Sequence, residues 1–431
     1  MRRAFLHCQA LIVPVSVNRS IVKTSINTLL FLVAWMIPAA TCPAQTGSTD
    51  DAALMERARN LAQEAILIDT HIDVPYRMTE KWDDISESTD GGDFDYPRAV
   101  KGGLNAPFMS IYIPADYQDT GGAAAFADSL IDMVEGFVER APEKFAIAKS
   151  PEDVRRQFES GLMSLPMGME NGAPVEDLAK LSHFRDRGIS YITLTHGRAN
   201  QISDSSYDPE RKWQGLSPYG EEVVREMNRL GIMVDVSHVS DSAFYDVMAI
   251  AQAPAIASHS SARHFTPGFE RNMSDDMIRR LAENGGVIHI NFGSSFVTEE
   301  SNKAGFTAYV EIAKYFEENN IEPGSEEAEA YAEQYRRDHP APFADVTDVV
   351  DHIDHVVSLT GVDHVGIGSD YDGVGDSLPT GLKDVSAYPN LIFHLLKRGY
   401  SDDDIRKILG ENLLRVWSEV ESAASRLQQT N

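Results

Sequence analysis

Residues 65–73, Ala65-Ile-Leu-Ile-Asp69-Thr-His71-Ile-Asp73, form a short apolar run that passes directly into a His and an Asp two positions apart. The run has the length and the near-continuous apolar character of a strand buried on both faces. Seven similar runs follow, at 107–113, 164–169, 189–194, 231–236, 255–258, 286–291 and 364–368. Most are preceded by a helix-like pattern, clearest at 123–140, 175–187, 220–230, 240–251 and 274–284. Buried strands alternating with amphipathic helices predict a parallel sheet, and eight such units predict a (β/α)8 TIM-type barrel. An open doubly wound sheet is the alternative, but no G-x-G-x-x-G follows the first strand. Two segments fall outside the repeat. Residues 77–105, rich in Asp, Gly and Ser, read as a long loop after strand 1, and 297–345 read as a helical insertion before strand 8. In a barrel both overhang the C-terminal face, where active sites are built.

The chain has 431 residues, 42% hydrophobic and 24% charged, an ordinary globular composition that a single barrel domain can absorb. Its formal net charge of -28 repels phosphate backbones and anionic surfaces, so nucleic acid is excluded as a partner. Cysteine occurs only at Cys8 and Cys42, which removes thiolate catalysis, disulfides and Cys-ligated zinc from the body of the chain.

Residues 1–44 carry four basic residues, no acid and the apolar run Leu29–Ile37, followed by small residues before Gln45. This is the pattern of a secretory signal peptide cleaved after Ala44, leaving 45–431 as one exported domain, periplasmic or secreted. The apolar run is too short to span a bilayer comfortably, so no stable membrane insertion is expected after cleavage. Ala39-Ala-Thr-Cys42 lacks the Leu-type residue of a lipoprotein signal, so lipidation is the weaker reading.

The chemistry lies at the strand ends. His71 and Asp73 end strand 1 and, two apart, project to one side. Glu170 ends strand 3, His196 strand 4, His238 strand 5, His259 strand 6 and Asp370 strand 8. Buried strands ending in unpaired ionisable groups are costly, and a metal centre accounts for all of them at once. Imidazoles and carboxylates without thiolates suit Zn, Mn, Co or Fe(II), with zinc the default. Among the other histidines, His352 and His355 read as surface residues of a helix. His183, His339, His364 and His394 read as structural, and His264 and His289 stay open.

From about residue 60 to 418 the chain resembles the membrane (renal) dipeptidase family, peptidase family M19 of the amidohydrolase superfamily. The resemblance rests on an ordered set of motifs. They are Asp69-Thr-His-Ile-Asp73, Gly168-Met-Glu-Asn-Gly172, Leu194-Thr-His196, Val234-Asp-Val-Ser-His-Val-Ser240, Ser258-His-Ser-Ser-Ala-Arg263, Arg271-Asn-Met-Ser-Asp-Asp276, Gly366-Ile-Gly-Ser-Asp-Tyr-Asp-Gly373 and Glu411-Asn-Leu-Leu-Arg-Val-Trp417. It implies a barrel with two zinc ions per chain that hydrolyses dipeptides, including those with a C-terminal D-residue, by a hydroxide bridging the metals. It implies His71 and Asp73 on one zinc, His238 and His259 on the other, and Glu170 bridging both. Asp370 would stand beside the bridging water, His196 would contact the substrate, and Arg271 would bind the substrate's C-terminal carboxylate. The family also implies a homodimer, noncovalent here because the cysteines that bridge animal members are missing. Two positions depart from those members: Gly293 stands where they carry Tyr, and Val74-Pro-Tyr76-Arg where they carry Trp. These departures leave room for other amide substrates, N-acyl-amino acids or β-lactams. A catalytically silent metal-binding scaffold is the third reading, but a metal store needs neither His196 nor Asp370.

Overall fold

The computed structural model describes residues 47–429. The expected signal peptide and both cysteines lie outside the described residues. Eight parallel strands follow one another around a single sheet: β1 (Ile68–Ile72), β2 (Ala106–Tyr112), β3 (Met167–Glu170), β4 (Ile189–Thr193), β5 (Met233–Asp235), β6 (Ile256–Ala257), β7 (Val287–Ile290) and β8 (Val365–Ile367). The ring closes where β8 returns to β1. Ile72 bridges Tyr371, Asp73 N–H donates to Tyr371 O at 2.9 Å, and Asp370 N–H donates to His71 O at 3.1 Å. The (β/α)8 barrel expected from the apolar repeat is the observed fold.

The outer helices begin where polar caps stand. Ser217, Ser240 and Ser274 each accept a backbone N–H three residues on, opening Pro218–Leu230, Asp241–Ile250 and Asp275–Glu283. The first of these starts two residues before the expected Gly220, because Pro218 at the first helical position supplies a suitable φ and needs no N–H partner. Asp177 likewise caps Leu178–Arg187, three residues later than the apolar pattern indicated.

Three expectations are corrected. The run 164–169 is not one strand. Pro166 has no N–H for a ladder, and it divides Met163–Leu165, which pairs with Phe145–Ile147 in a separate two-stranded sheet, from β3. Residues 77–105 are not an unstructured loop: they contain most of the helix Val74–Glu80 and all of Tyr96–Gly102, the latter capped by Asp95. His352 is not on the surface. It is fully buried on the helix Val346–Thr360, where Nδ1 accepts the Ala262 N–H at 3.0 Å and Nε2–H donates to Val297 O at 2.9 Å. It thereby ties the segment after β6 to the segment after β7. The expected insertion is a hairpin of helices Glu299–Asn319 and Glu326–Asp338 with its own small core around Ile312, Phe316 and Ala328.

The barrel floor is sealed by the last helix, Asn412–Gln429. Its fully buried Trp417 packs with Phe108 of β2, Met233 of β5 and Val287 of β7. Higher in the interior, Tyr191 of β4 crosses to β3, and only a glycine fits beneath it. A Cβ on Gly168 would lie 1.9 Å from the Tyr191 ring. Gly168→Ala should therefore overpack the interior and lower the unfolding free energy by about 1–3 kcal/mol. A chemical-denaturation midpoint equal to wild type would contradict this packing.

Candidate metal centre

The C-terminal ends of the strands bring seven of the predicted residues into one cluster. Glu170 is its hub. Its Oε1 lies 3.0 Å from His238 Nε2 and 3.1 Å from His259 Nε2, and its Oε2 lies 3.7 Å from His71 Nε2. His71 Nε2 is 3.4 Å from Asp73 Oδ2, and His71, Asp73 and Asp370 hold donor atoms within 4.8 Å of one another. Two further groups meet the same limit, His71–Glu170–His259 and Glu170–His196–His238. Glu170 is shared by two of the three and His71 by two. His196 stands farther out, 3.5 Å from Glu170 Oε1, with a more exposed side chain than His238 or His259.

The tautomers of two histidines are fixed from behind. Tyr191 donates its hydroxyl proton to Thr70 O, so it accepts from His71 Nδ1–H at 3.0 Å and leaves Nε2 as the His71 nitrogen that faces the cluster. Ser258 donates to Asp235 Oδ2 at 2.6 Å and accepts from His259 Nδ1–H at 2.7 Å, which presents His259 Nε2 in the same way. Asp235, fully buried, also accepts the N–H groups of Ser237 and Ser258. Asp69 does the corresponding work at the closure: its Oδ1 accepts the N–H groups of His71 and Ser369, and Tyr388 donates to its Oδ2. Such outer partners orient metal-ligating imidazoles and fix which nitrogen faces the ion.

The electrostatics call for positive charge. Burial works against a charged imidazole at His71, yet the carboxylates of Asp73 and Glu170 override it and push its pKa up to about 10. Burial drives Glu170 well above the usual carboxylate range. It also drives His238 and His259 well below theirs, with Arg271 adding to the effect. His71 Nε2 and Asp73 Oδ1 are buried without a hydrogen-bond partner. Facing lone pairs, buried carboxylates and orphaned donor atoms fit one or more bound divalent cations.

Two residues reach the cluster through backbone that side chains rarely adopt. His238 has φ +67° and Asp370 φ +65°. Each costs of order 1–3 kcal/mol, the kind of strain that functional sites retain. Arg271, also buried, completes the site. Its Nη2 lies 2.9 Å from His238 Nε2 and donates to His259 O at 2.8 Å, and Nη1 donates to Ser260 Oγ at 2.7 Å.

A family model for membrane dipeptidase, peptidase family M19, matches residues 55–431. The chain belongs to this family. It is a dipeptidase of the M19 metallopeptidase type, and the buried His, Asp and Glu cluster is its candidate metal centre. It is 34% identical over 342 residues to dipeptidase tcpJ of Claviceps purpurea (strain 20.1), across 78% of this chain and 71% of that protein. The solved structure of the probable dipeptidase PvdM from Pseudomonas aeruginosa is similar at 28% identity and TM-score 0.73, covering 86% of this chain and 99% of PvdM. A metallo peptidase from Rhodobacter sphaeroides, solved with a phosphinate mimic of the dipeptide L-Ala-D-Ala, shares the fold at 24% identity and TM-score 0.68, over 83% of this chain and 99% of that one.

The M19 centre also holds residues that sequence reasoning missed. Asn291 follows β7, in the same strand-end position as the predicted ligands. Its Nδ2–H donates to Asp370 Oδ2 at 2.8 Å, and its Oδ1 accepts the Gly293 N–H at 2.7 Å. Tyr112 ends β2 and stands edge-on to His196, with Tyr76 edge-on behind it. The other departure, Gly293, is closed in by Phe296 and Val374, each 2.9 Å from where a Cβ would sit. Of the two histidines left open, His289 is buried against Gly366 with Nδ1–H on Ala257 O, and His264 lies outside the centre.

Gly373 lets two carboxylates approach, since a Cβ there would lie 2.2 Å from Asp73 Oδ2 and 2.3 Å from Asp370 Oδ1. Gly373→Ala should reduce bound metal while circular dichroism stays that of wild type; full metal content would refute this placement. Ser258→Ala frees the His259 tautomer and should weaken metal affinity about 10- to 100-fold in a chelator competition.

Proposed function

We propose that this M19 enzyme is an exported dipeptidase that works with two zinc ions, held by His71, Asp73, Glu170, His238 and His259. The observation that carries the substrate reading is Arg271. Its guanidinium is a planar fork suited to a free carboxylate, and it sits 2.9 Å from the His238 imidazole. A peptide anchored there by its C-terminal carboxylate lies beside the metal ligands, which restricts cleavage to short substrates such as dipeptides. Zinc is the default for this donor set, and Glu170, between the two groups of ligands, is placed to serve both sites.

Bound zinc would supply Lewis acidity and a water acidic enough to ionise near neutral pH. The chain's own residues do the rest. Arg271 fixes the substrate's carboxylate end. His196, whose pKa burial and the Arg271 charge lower to about 3, stays neutral and donates a hydrogen bond to the carbonyl oxygen as negative charge develops on it. Asp370 takes the proton of the attacking water and delivers it to the leaving amine nitrogen. Burial and Asp73 raise its pKa to about 6 against the pull of His71, which suits a group that both accepts and returns a proton. Asn291 holds the carboxylate in place for that transfer.

Export rests on the leader-like residues 1–44, and among the described residues no helix is long and apolar enough to cross a membrane. Gly293 and Tyr76 favour testing a second reading, cleavage of N-acyl-amino acids or β-lactams in the same site.

The test is a panel of L-Ala-D-Ala, L-Ala-L-Ala, an N-acyl-amino acid and a β-lactam, run on zinc-loaded protein. The expected outcome is release of free amino acid from one or both dipeptides, a loss of kcat by orders of magnitude in Asp370→Asn with zinc content unchanged, and a raised KM in Arg271→Met. Cleavage of the other amides alone would move the assignment to the second reading. Undiminished turnover in Asp370→Asn would remove it from the proton-transfer role.

A further inference from the structure

Away from the metal centre, three side chains from three elements meet on the outside of the barrel. His264 lies on the short 3-10 turn Arg263–Phe265 after β6, Asp275 opens the helix Asp275–Glu283, and His355 lies on Val346–Thr360. One donor atom of each lies within 4.8 Å of the other two. His355 Nε2 is 2.8 Å from Asp275 Oδ1, and the His264 and His355 rings stack with centroids 4.4 Å apart and planes 21° apart. His264 is exposed, whereas Asp275 and His355 are half-buried. Among the described residues no hydrogen bond to the His264 ring is formed, so its nitrogens can turn toward the pair.

We propose that His264, Asp275 and His355 form a peripheral site for a divalent transition metal ion, separate from the catalytic centre. Two imidazoles and one carboxylate suit Zn(2+), Ni(2+) or Cu(2+), with water from the open side completing the shell. Ca(2+) and Mg(2+), which demand oxygen donors, are poor matches. The site's position gives it a consequence. His264 is seven residues before Arg271 in the same segment, and His352, one turn before His355, already holds that segment from inside through the Ala262 N–H. An ion outside would staple the Arg271 segment to the same helix a second time. Because the unfolded chain cannot assemble the three donors, binding raises the melting temperature.

The test uses the full chain, with Zn(2+) as the probe and Ca(2+) as the control. Bound zinc per chain and melting temperature are measured with and without excess zinc for wild type, His264→Ala and His355→Ala. The site predicts one zinc fewer per chain in each variant and a smaller melting-temperature rise with excess zinc than wild type shows, the share of the catalytic centre remaining. Dipeptide cleavage would be retained, since neither residue belongs to the catalytic centre. His264 is exposed, so its variant folds as wild type does and decides the matter even if His355→Ala is unstable. Equal zinc content and equal melting shifts in wild type and His264→Ala would overturn the proposal, leaving an ion pair and a ring stack. A rise with Ca(2+) as large as that with Zn(2+) would overturn the choice of metal class.

Discussion

A carboxylate buried among imidazole nitrogens is the constraint on which the rest of this structure depends. Glu170 is 4% exposed, yet its two oxygens face His71, His238 and His259 from three other strands. Taken out of water, that charge is costly unless positive charge is supplied beside it. Tyr191 and Ser258 turn the Nε2 atoms of His71 and His259 toward it, so the compensation has to come from a cation or from protons on those nitrogens. The pull of Asp73 and Glu170 on the His71 proton expresses the same demand.

The barrel meets this demand by separating its two ends. The floor is apolar and closed, with Trp417 packed among the first residues of several strands. The opposite end carries polar residues whose backbones are held by two further buried acids, Asp69 at the β8–β1 closure and Asp235 between β5 and β6. The loops above are tied to one another rather than left loose. Arg77 bridges the segment after β1 to Asp372 after β8 at 3.0 Å, and His352 joins the segments after β6 and β7. Arg271 and Asp370 thus project from supported backbone, which the positive φ of Asp370 requires.

What the sequence revealed follows from period and range. The strand ends were legible because an apolar run with a His, Asp or Glu at its end is a local pattern: eight apolar runs in order define a barrel, and six of them end that way. His71, Asp73, Glu170, His238, His259 and Asp370 all meet where that reading put them. What stayed hidden depends on partners far away in the chain. Asp235 is one residue inside an apolar run, and the reasons for an acid there, Thr193 and Ser258, come from the neighbouring strands. His352 sits in an amphipathic helix among acids and looked solvated, because both of its partners belong to other segments. Asn291 carries a local signal in its strand-end position after β7, but as an uncharged amide it does not stand out beside the His, Asp and Glu residues that end the other strands. Pro166 was visible too, and its missing N–H is enough to divide the run that contains it.

The central claim is that Glu170 joins two metal sites in one centre. Anomalous diffraction from zinc-loaded crystals tests it most directly. The account predicts two anomalous peaks per chain at this centre, one beside His71 and Asp73, the other beside His238 and His259, with a Glu170 oxygen on each. A single peak, or two peaks with Glu170 bound to neither, would contradict it.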